Sequence, residues 1–198
     1  MFYTLKTEPS WKSYIIKLNN PLFTSEQCDD IIKCATSLQK KEASIGIGID
    51  SSPKNKNEKI RKSKVAWIEH NLIPPAFQKI NDALYNVNKN YFGFENLEMT
   101  ELAQYTEYDK GSHYNWHMDS EVEFSKQPPV RKISMSVLLS DSKEFVGGEL
   151  EFIEEGKPME LKKGEAVFFA SFIRHRVKPV KKGIRKSLVM WFGGEPFK

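Results

Sequence analysis

A chain of 198 residues with 39% hydrophobic and 28% charged residues has the balance of an ordinary globular protein and the length of one domain with a sizeable core. No apolar run approaches the length needed to span a bilayer, which excludes a helical membrane protein. The net charge of +4, from 30 basic against 26 acidic residues, is too small an excess to require a polyanionic partner such as nucleic acid.

Residues 1–11 carry Lys6 and Glu8 and lack the basic start, apolar centre and small-residue cleavage site of a secretory signal, which predicts an intracellular, cytoplasmic chain. A strand is expected over 13–18. Thr24-Ser25-Glu26-Gln27 supplies an N-cap and polar first turn ahead of Ile31, Ile32 and Ala35, predicting a helix over 25–39. Cys28 and Cys34 lie six apart in that helix and point in different directions, so both read as free thiols of a reducing compartment. Residues 46–57, rich in Gly, Ser, Asn and Lys, cannot pack a core and predict a mobile loop. An apolar alternation begins at Ile60. Pro74-Pro75 opens a second helix, whose Phe77, Ile80, Ala83, Leu84 and Val87 recur at helical spacing up to about Tyr91.

From Leu97 onward, short β-branched and aromatic runs predict strands near 101–108, 132–139, 149–154, 159–161, 166–170, 175–180 and 185–192, with Gly147-Gly148, Gly164 and Gly183 at the breaks. The expected class is α+β and β-rich, a two-sheet jelly roll (double-stranded β-helix) with the N-terminal helices packed on one outer face. One domain is expected over 1–198, with 1–96 as helical support and substrate loop and 97–198 as the jelly-roll core. Two basic clusters, 54–64 and 178–186, read as solvated turns or as substrate contacts.

Of four histidines, His117 lies two residues before Asp119. On a strand those positions share a face, so both side chains can reach one ion. The pair alone is weak, since His-x-Asp often arises by chance and a surface pair is the plain alternative. His175 opens a strand after the apolar run 167–170, and a histidine there, taken alone, is more often a satisfied core or edge residue than a ligand. Ten residues later comes Arg185. Lys181-Lys182-Gly183 is expected to turn the chain so that the strand from Arg185 runs antiparallel beside the strand from His175. A buried arginine needs an anion, and its planar fork suits a carboxylate, with Ser187 on the same face as a hydroxyl donor. Two histidines and one carboxylate on one face of an octahedral ion form the arrangement associated with non-haem Fe(II) oxygenases, with positions left open for a 2-keto acid and O2.

In these residues the chain resembles the 2-oxoglutarate- and Fe(II)-dependent prolyl 4-hydroxylase superfamily over most of its length, including small phage and bacterial members. The likeness lies in Tyr108-x-x-Gly111-x-x-Tyr114-x-x-His117-x-Asp119, in Leu139-Ser140-Asp141 through Gly147-Gly148-Glu149-Leu150, in Phe168-Phe169-Ala170-Ser171 with His175-Arg176-Val177, and in Gly183-x-Arg185-x-Ser187-Leu188 with Trp191-Phe192. Ile60-Arg61-x-x-Lys64-Val65-x-Trp67-Ile68-Glu69 is similar to a segment of the hypoxia-sensing and bacterial prolyl hydroxylases that follows a mobile loop closing over the peptide. The resemblance implies that His117, Asp119 and His175 hold Fe(II), that Arg185 binds the distal carboxylate of 2-oxoglutarate with Tyr108 and Ser187 beside it, and that Trp191, Arg61 and Tyr114 face the substrate. It implies conversion of 2-oxoglutarate and O2 to succinate and CO2 with hydroxylation of a protein or peptide, proline being the favoured residue, and ascorbate as an accessory reductant. Two positions depart from the pattern: Leu138 stands where some relatives carry a co-substrate-binding tyrosine, and Ser63 replaces an acidic residue able to pair with Arg61.

Rival readings remain at this level. Tyr108, Tyr114 and Trp191 also suit a core as ordinary aromatics. An oxygenase of a nucleic-acid base or small metabolite is one alternative, although alkylated-base demethylases carry a second arginine six residues after the first, where this chain has Trp191. A jelly-roll binding module without catalysis is the other. His70 and His113 read as structural or exposed, and Gly147 and Gly148 as turn formers.

Overall fold

Alternation of residue type along the strands decides how the chain folds, because successive side chains of a strand point to opposite faces. In a computed structural model of the chain, which describes residues 13–43, 57–120 and 128–196, fourteen strands among the described residues form two facing sheets and a small two-stranded ribbon. The expected loop over 46–57 and the first eleven residues fall almost wholly outside the described residues.

The larger sheet holds seven strands in the order β1 (Ile15–Lys17), β11 (Ala166–Ala170), β7 (Val130–Leu138), β14 (Arg185–Gly194), β5 (Ala103–Tyr108), β4 (Lys64–Ile68) and β2 (Lys41–Glu42). The smaller holds β10 (Pro158–Met159), β9 (Leu150–Phe152), β12 (His175–Val177), β6 (His113–His117) and β3 (Arg61–Lys62), and the ribbon pairs β13 (Val180–Gly183) with β8 (Phe145–Gly147). All pairings are antiparallel.

Two helices precede the main run of strands. Helix α1 (Ser25–Ser37) begins with the expected capping box, in which the Gln27 amide donates to Thr24 Oγ1 at 3.2 Å and the Thr24 amide donates to Gln27 Oε1 at 3.1 Å. Helix α2 (Pro74–Val87) has proline in its first turn and continues into a π-helical turn, Asn88–Phe92, closed by Gly93 at φ +71°. Ile31 and Ala35 of α1 and Ile80, Leu84 and Val87 of α2 join one core with Ala66, Ile68, Tyr105, Met135, Val137, Leu188, Met190 and Phe192. These strand residues occupy every second position, so one face of the larger sheet lies under the helices and the other is left for the smaller sheet. A sheet covered on both faces explains why all nine residues of β7 are buried.

The structure corrects one expectation. The chain does not turn at 181–183 to lay the Arg185 strand beside the His175 strand. Pro179 cannot donate to a sheet ladder, so the expected strand over 175–180 ends at Val177. Residues 180–183 then form a strand of their own against β8. This ribbon carries the chain from the smaller sheet to the middle of the larger one, where β14 lies between β7 and β5. Gly183, at φ +76°, makes the crossing, and a Cβ there would strike the Glu144 carbonyl.

Candidate metal and co-substrate site

His175 and His117 face each other in register on adjacent strands β12 and β6, which is why two histidines 58 positions apart converge. Each Nδ1 lies against the carbonyl two residues earlier, His117 with Asn115 O at 2.8 Å and His175 with Ile173 O at 3.0 Å. With Nδ1–H donating to a carbonyl, each ring turns an Nε2 lone pair outward as a ligand. Asp119 is not on the strand. It follows the end of β6 in a bend, fixed because the Asp119 and Ser120 amides both donate to the Ser171 carbonyl, at 2.9 and 3.0 Å. Its carboxylate oxygens stand 3.6 Å from each imidazole, Oδ1 from His117 Nε2 and Oδ2 from His175 Nε2. The three ligating atoms lie within 4.8 Å of one another.

Protonation favours a cation here. Burial, and next to it His175, push the His117 imidazole down to about 3. Burial alone would raise the Asp119 carboxyl, but His175, His117, Arg131 and the Ser134 hydroxyl together bring it to about 2. A neutral imidazole beside an ionised carboxylate at neutral pH is a ready donor set for Fe(II), and a three-ligand facial site leaves positions for a chelating co-substrate.

Opposite these residues, the inward positions of the larger sheet line the same cavity of about 440 Å³: Arg185, Ser187, Val189 and Trp191 of β14, Gln104 and Tyr108 of β5, Val65 and Trp67 of β4, and Ser136 of β7. Arg185 pairs in register with Tyr108 and is only 3% exposed. Its Nη1 donates to Ser187 Oγ at 3.1 Å and its guanidinium lies 5.5 Å from the Tyr108 ring. Among the described residues no carboxylate pairs with it, and burial lowers its pKa. A cation so placed lacks its counter-ion. A dicarboxylate held at one end by a metal would supply it, so the residues fit 2-oxoglutarate as well as iron.

Towards the cavity mouth, Tyr114 stacks on His117 with centroids 3.4 Å apart, and the Arg61 guanidinium covers Tyr114 at 4.6 Å. Arg61 Nε donates to Ser63 Oγ at 3.2 Å and Nη2 to Gln104 Oε1 at 2.7 Å, so Ser63, which departs from an acidic residue of the family pattern, still meets Arg61 as an acceptor. Trp191 lies 6.2 Å from Trp67, and the Arg131 guanidinium covers it at 3.9 Å. Arg131 is itself ion-paired with Glu101. Leu138, opposite Ser187, lines a second cavity behind Arg185.

All nine site residues singled out in the sequence therefore line one cavity. The sequence reading missed Arg131, Ser134 and Ser171 and gave Trp67 no role. Serines recurring at 134 and 136 inside an otherwise apolar strand were a usable signal, since period two sends both to one face. Gly148 is more than a turn former: at φ +68°, a Cβ there would come within 3.0 Å of Arg185 Cδ.

Residues 103–193 match the model of the 2OG-Fe(II) oxygenase superfamily. The chain is 35% identical over 83 residues to a PKHD-type hydroxylase of Synechococcus sp. (strain CC9902), a match covering 41% of this chain and 36% of that protein. It is 28% identical over 172 residues to a PKHD-type hydroxylase of Prochlorococcus marinus, covering 84% and 72%. The first match thus spans about a third of its relative's length. In three dimensions the chain is similar to a prolyl hydroxylase of Trichoplax adhaerens solved with a hypoxia inducible factor peptide fragment, with a TM-score of 0.69, 16% identity, and 91% of this chain and 83% of that chain covered. The region 103–193 that matches the 2OG-Fe(II) oxygenase superfamily thus contains His117, Asp119 and His175, a donor set that fits iron, and the chain's fold is prolyl 4-hydroxylase-like.

Proposed function

We propose that this chain, acting as one catalytic domain, hydroxylates a protein or peptide side chain, with proline the favoured target, at the expense of 2-oxoglutarate and O2. The observation that carries the reading is Arg185, a buried guanidinium with no anionic partner among the described residues, in a cavity that also holds two imidazoles and a carboxylate. His117, Asp119 and His175 would hold Fe(II). Arg185, with Ser187 and Tyr108, would hold the distal carboxylate of the keto acid by paired charge-assisted hydrogen bonds. When bound, iron and keto acid supply the oxidising chemistry that side chains lack.

The protein's own part is placement and exclusion of water. Tyr108 and Val189 wall the co-substrate space, and stacking by Tyr114 fixes the His117 ring. A pyrrolidine ring is apolar and rigid, and the Trp67–Trp191 pair at the mouth offers aromatic faces suited to it. Trp191 Nε1 is buried with no acceptor among the described residues, and a peptide carbonyl would satisfy it. Arg61, through Tyr114, joins that mouth to the metal side.

The test is a library of proline-containing peptides incubated with the purified chain, Fe(II), 2-oxoglutarate and O2, read by mass spectrometry for gain of one oxygen atom and by succinate release. Matched peptide oxidation and succinate are expected. Succinate release with no peptide oxidised in a broad library, and oxidation of a nucleobase or free metabolite instead, would overturn the substrate class.

A further inference from the structure

Asp119 is held by more than its bend. Ser134 Oγ on β7 donates to Asp119 Oδ2 at 2.7 Å, and Ser134 Oγ lies 2.9 Å from Ser171 Oγ, just beyond β11. Both serines are fully buried. The Ser171 amide donates to Lys132 O at 2.9 Å, and its carbonyl takes the Asp119 and Ser120 amides. The metal-side carboxylate is thereby moored to two strands of the opposite sheet.

The direction of this chain of hydroxyls follows from donor counting. An ionised carboxylate only accepts, so the single Ser134 proton goes to Asp119 Oδ2. Ser134 can then only accept from its neighbour, and the Ser171 proton must point to Ser134. Each hydroxyl polarises the next, and the last bond is charge-assisted. Oδ2 is thus tied to Ser134 while it faces His175 Nε2 at 3.6 Å, and Oδ1 faces His117 Nε2 at the same distance, so the hydroxyl fixes how the carboxylate is turned towards both imidazoles.

We infer that Ser134 and Ser171 form a positioning relay that holds the Asp119 carboxylate in the orientation in which it, with His117 and His175, would receive a metal ion. The inference rests on the metal-site reading and adds a function for two residues that touch neither ion nor substrate. Without the relay the carboxylate is free to rotate about its Cβ–Cγ bond and to leave the orientation in which it meets the two imidazoles. Outer partners of metal ligands typically govern affinity by about 10–100-fold.

The test is anaerobic titration of the full chain with Fe(II) and, separately, with Co(II), whose ligand-field absorption reports coordination number. Ser134→Ala is expected to bind Fe(II) about 10–100-fold more weakly and to show a Co(II) spectrum of changed coordination, with thermal unfolding of the metal-free protein near that of the wild type. Ser171→Ala is expected to give a smaller loss in the same direction, and the double variant a loss no larger than that of Ser134→Ala, because Ser171 acts through Ser134. Wild-type affinity and spectrum in both single variants would overturn the relay while leaving the metal site intact. Failure of the wild type itself to bind more tightly than His117→Ala would overturn the metal site and the relay together. Should Ser134→Ala not fold, Ser171→Ala decides alone: an unchanged affinity and spectrum rejects the relay.

Discussion

Arg185→Met is the most informative single change. The side chain is 3% exposed and, among the described residues, hydrogen-bonds to a serine and pairs with no carboxylate, so in the ligand-free protein the guanidinium is a desolvated charge awaiting an anion. Methionine has similar length and no charge to desolvate, and the ligand-free variant should therefore be at least as stable as the wild type. With co-substrate the sign reverses. Removing one partner of a buried, hydrogen-bonded charge pair costs about 2–5 kcal/mol, or about 30- to 5000-fold in 2-oxoglutarate affinity. A ligand at 100 times its dissociation constant stabilises the folded chain by about 2.7 kcal/mol, which for a protein of this size raises Tm by about 5–11 °C. The assay is anaerobic thermal unfolding with Fe(II), with and without 2-oxoglutarate at that excess over the wild-type constant. The wild type should gain the shift and the variant should not. A variant that keeps the full shift, or that is several degrees less stable without co-substrate, would refute the claim that Arg185 waits for an anion.

Further expectations concern neighbouring groups. Gly148→Ala places a methyl against Arg185 Cδ and Val180 in a left-handed conformation; it should destabilise by about 1–2 kcal/mol and raise the KM for 2-oxoglutarate, read by urea titration and steady-state kinetics. Trp191→Phe keeps an aromatic face, on a smaller ring, but removes Nε1, which has no acceptor among the described residues; peptide KM should rise about 2- to 12-fold, the value of one hydrogen bond, with KM for 2-oxoglutarate unchanged. Burial pushes the Cys28 thiol from 9.0 up to about 11, Lys163 opposing and Asp29 adding. Above pH 9 the unfolded chain loses a proton that the folded chain keeps, so this contribution to stability is complete below about 9 and fades as pH rises towards about 11. Denaturant midpoints across that range should fall, and fall less in Cys28→Ala.

The candidate metal ligands were legible because their chemistry is concentrated in few residues: a chain with four histidines leaves few ways to build a two-histidine site. The strand containing Arg185 was equally legible, and alternation correctly put Ser187 beside Arg185. The path between them was not. Val180–Gly183 reads locally as a lysine-rich turn, and only the pairing with Phe145–Gly147 makes it a strand, a tertiary choice that local pattern does not encode. Asp119 reached the site for a different reason from the one expected. Strand periodicity suggested a shared face with His117, whereas the Ser171 carbonyl and Ser134 hydroxyl, distant in sequence, place it. Arg131 escaped notice because a charged residue at a strand start reads as solvated. Here it is buried between Glu101 and Trp191.

X-ray absorption fine structure at the iron edge, on the Fe(II)-loaded chain under anaerobic conditions, tests the metal centre most directly. Two imidazoles and one carboxylate oxygen should appear among the scatterers, the His175→Ala protein should lose one imidazole, and added 2-oxoglutarate should alter the shell of the wild type but leave that of Arg185→Met largely unchanged at the same concentration. An iron shell without imidazole scattering, or one indifferent to both the histidine substitution and the keto acid, would contradict a centre built from His117, Asp119 and His175.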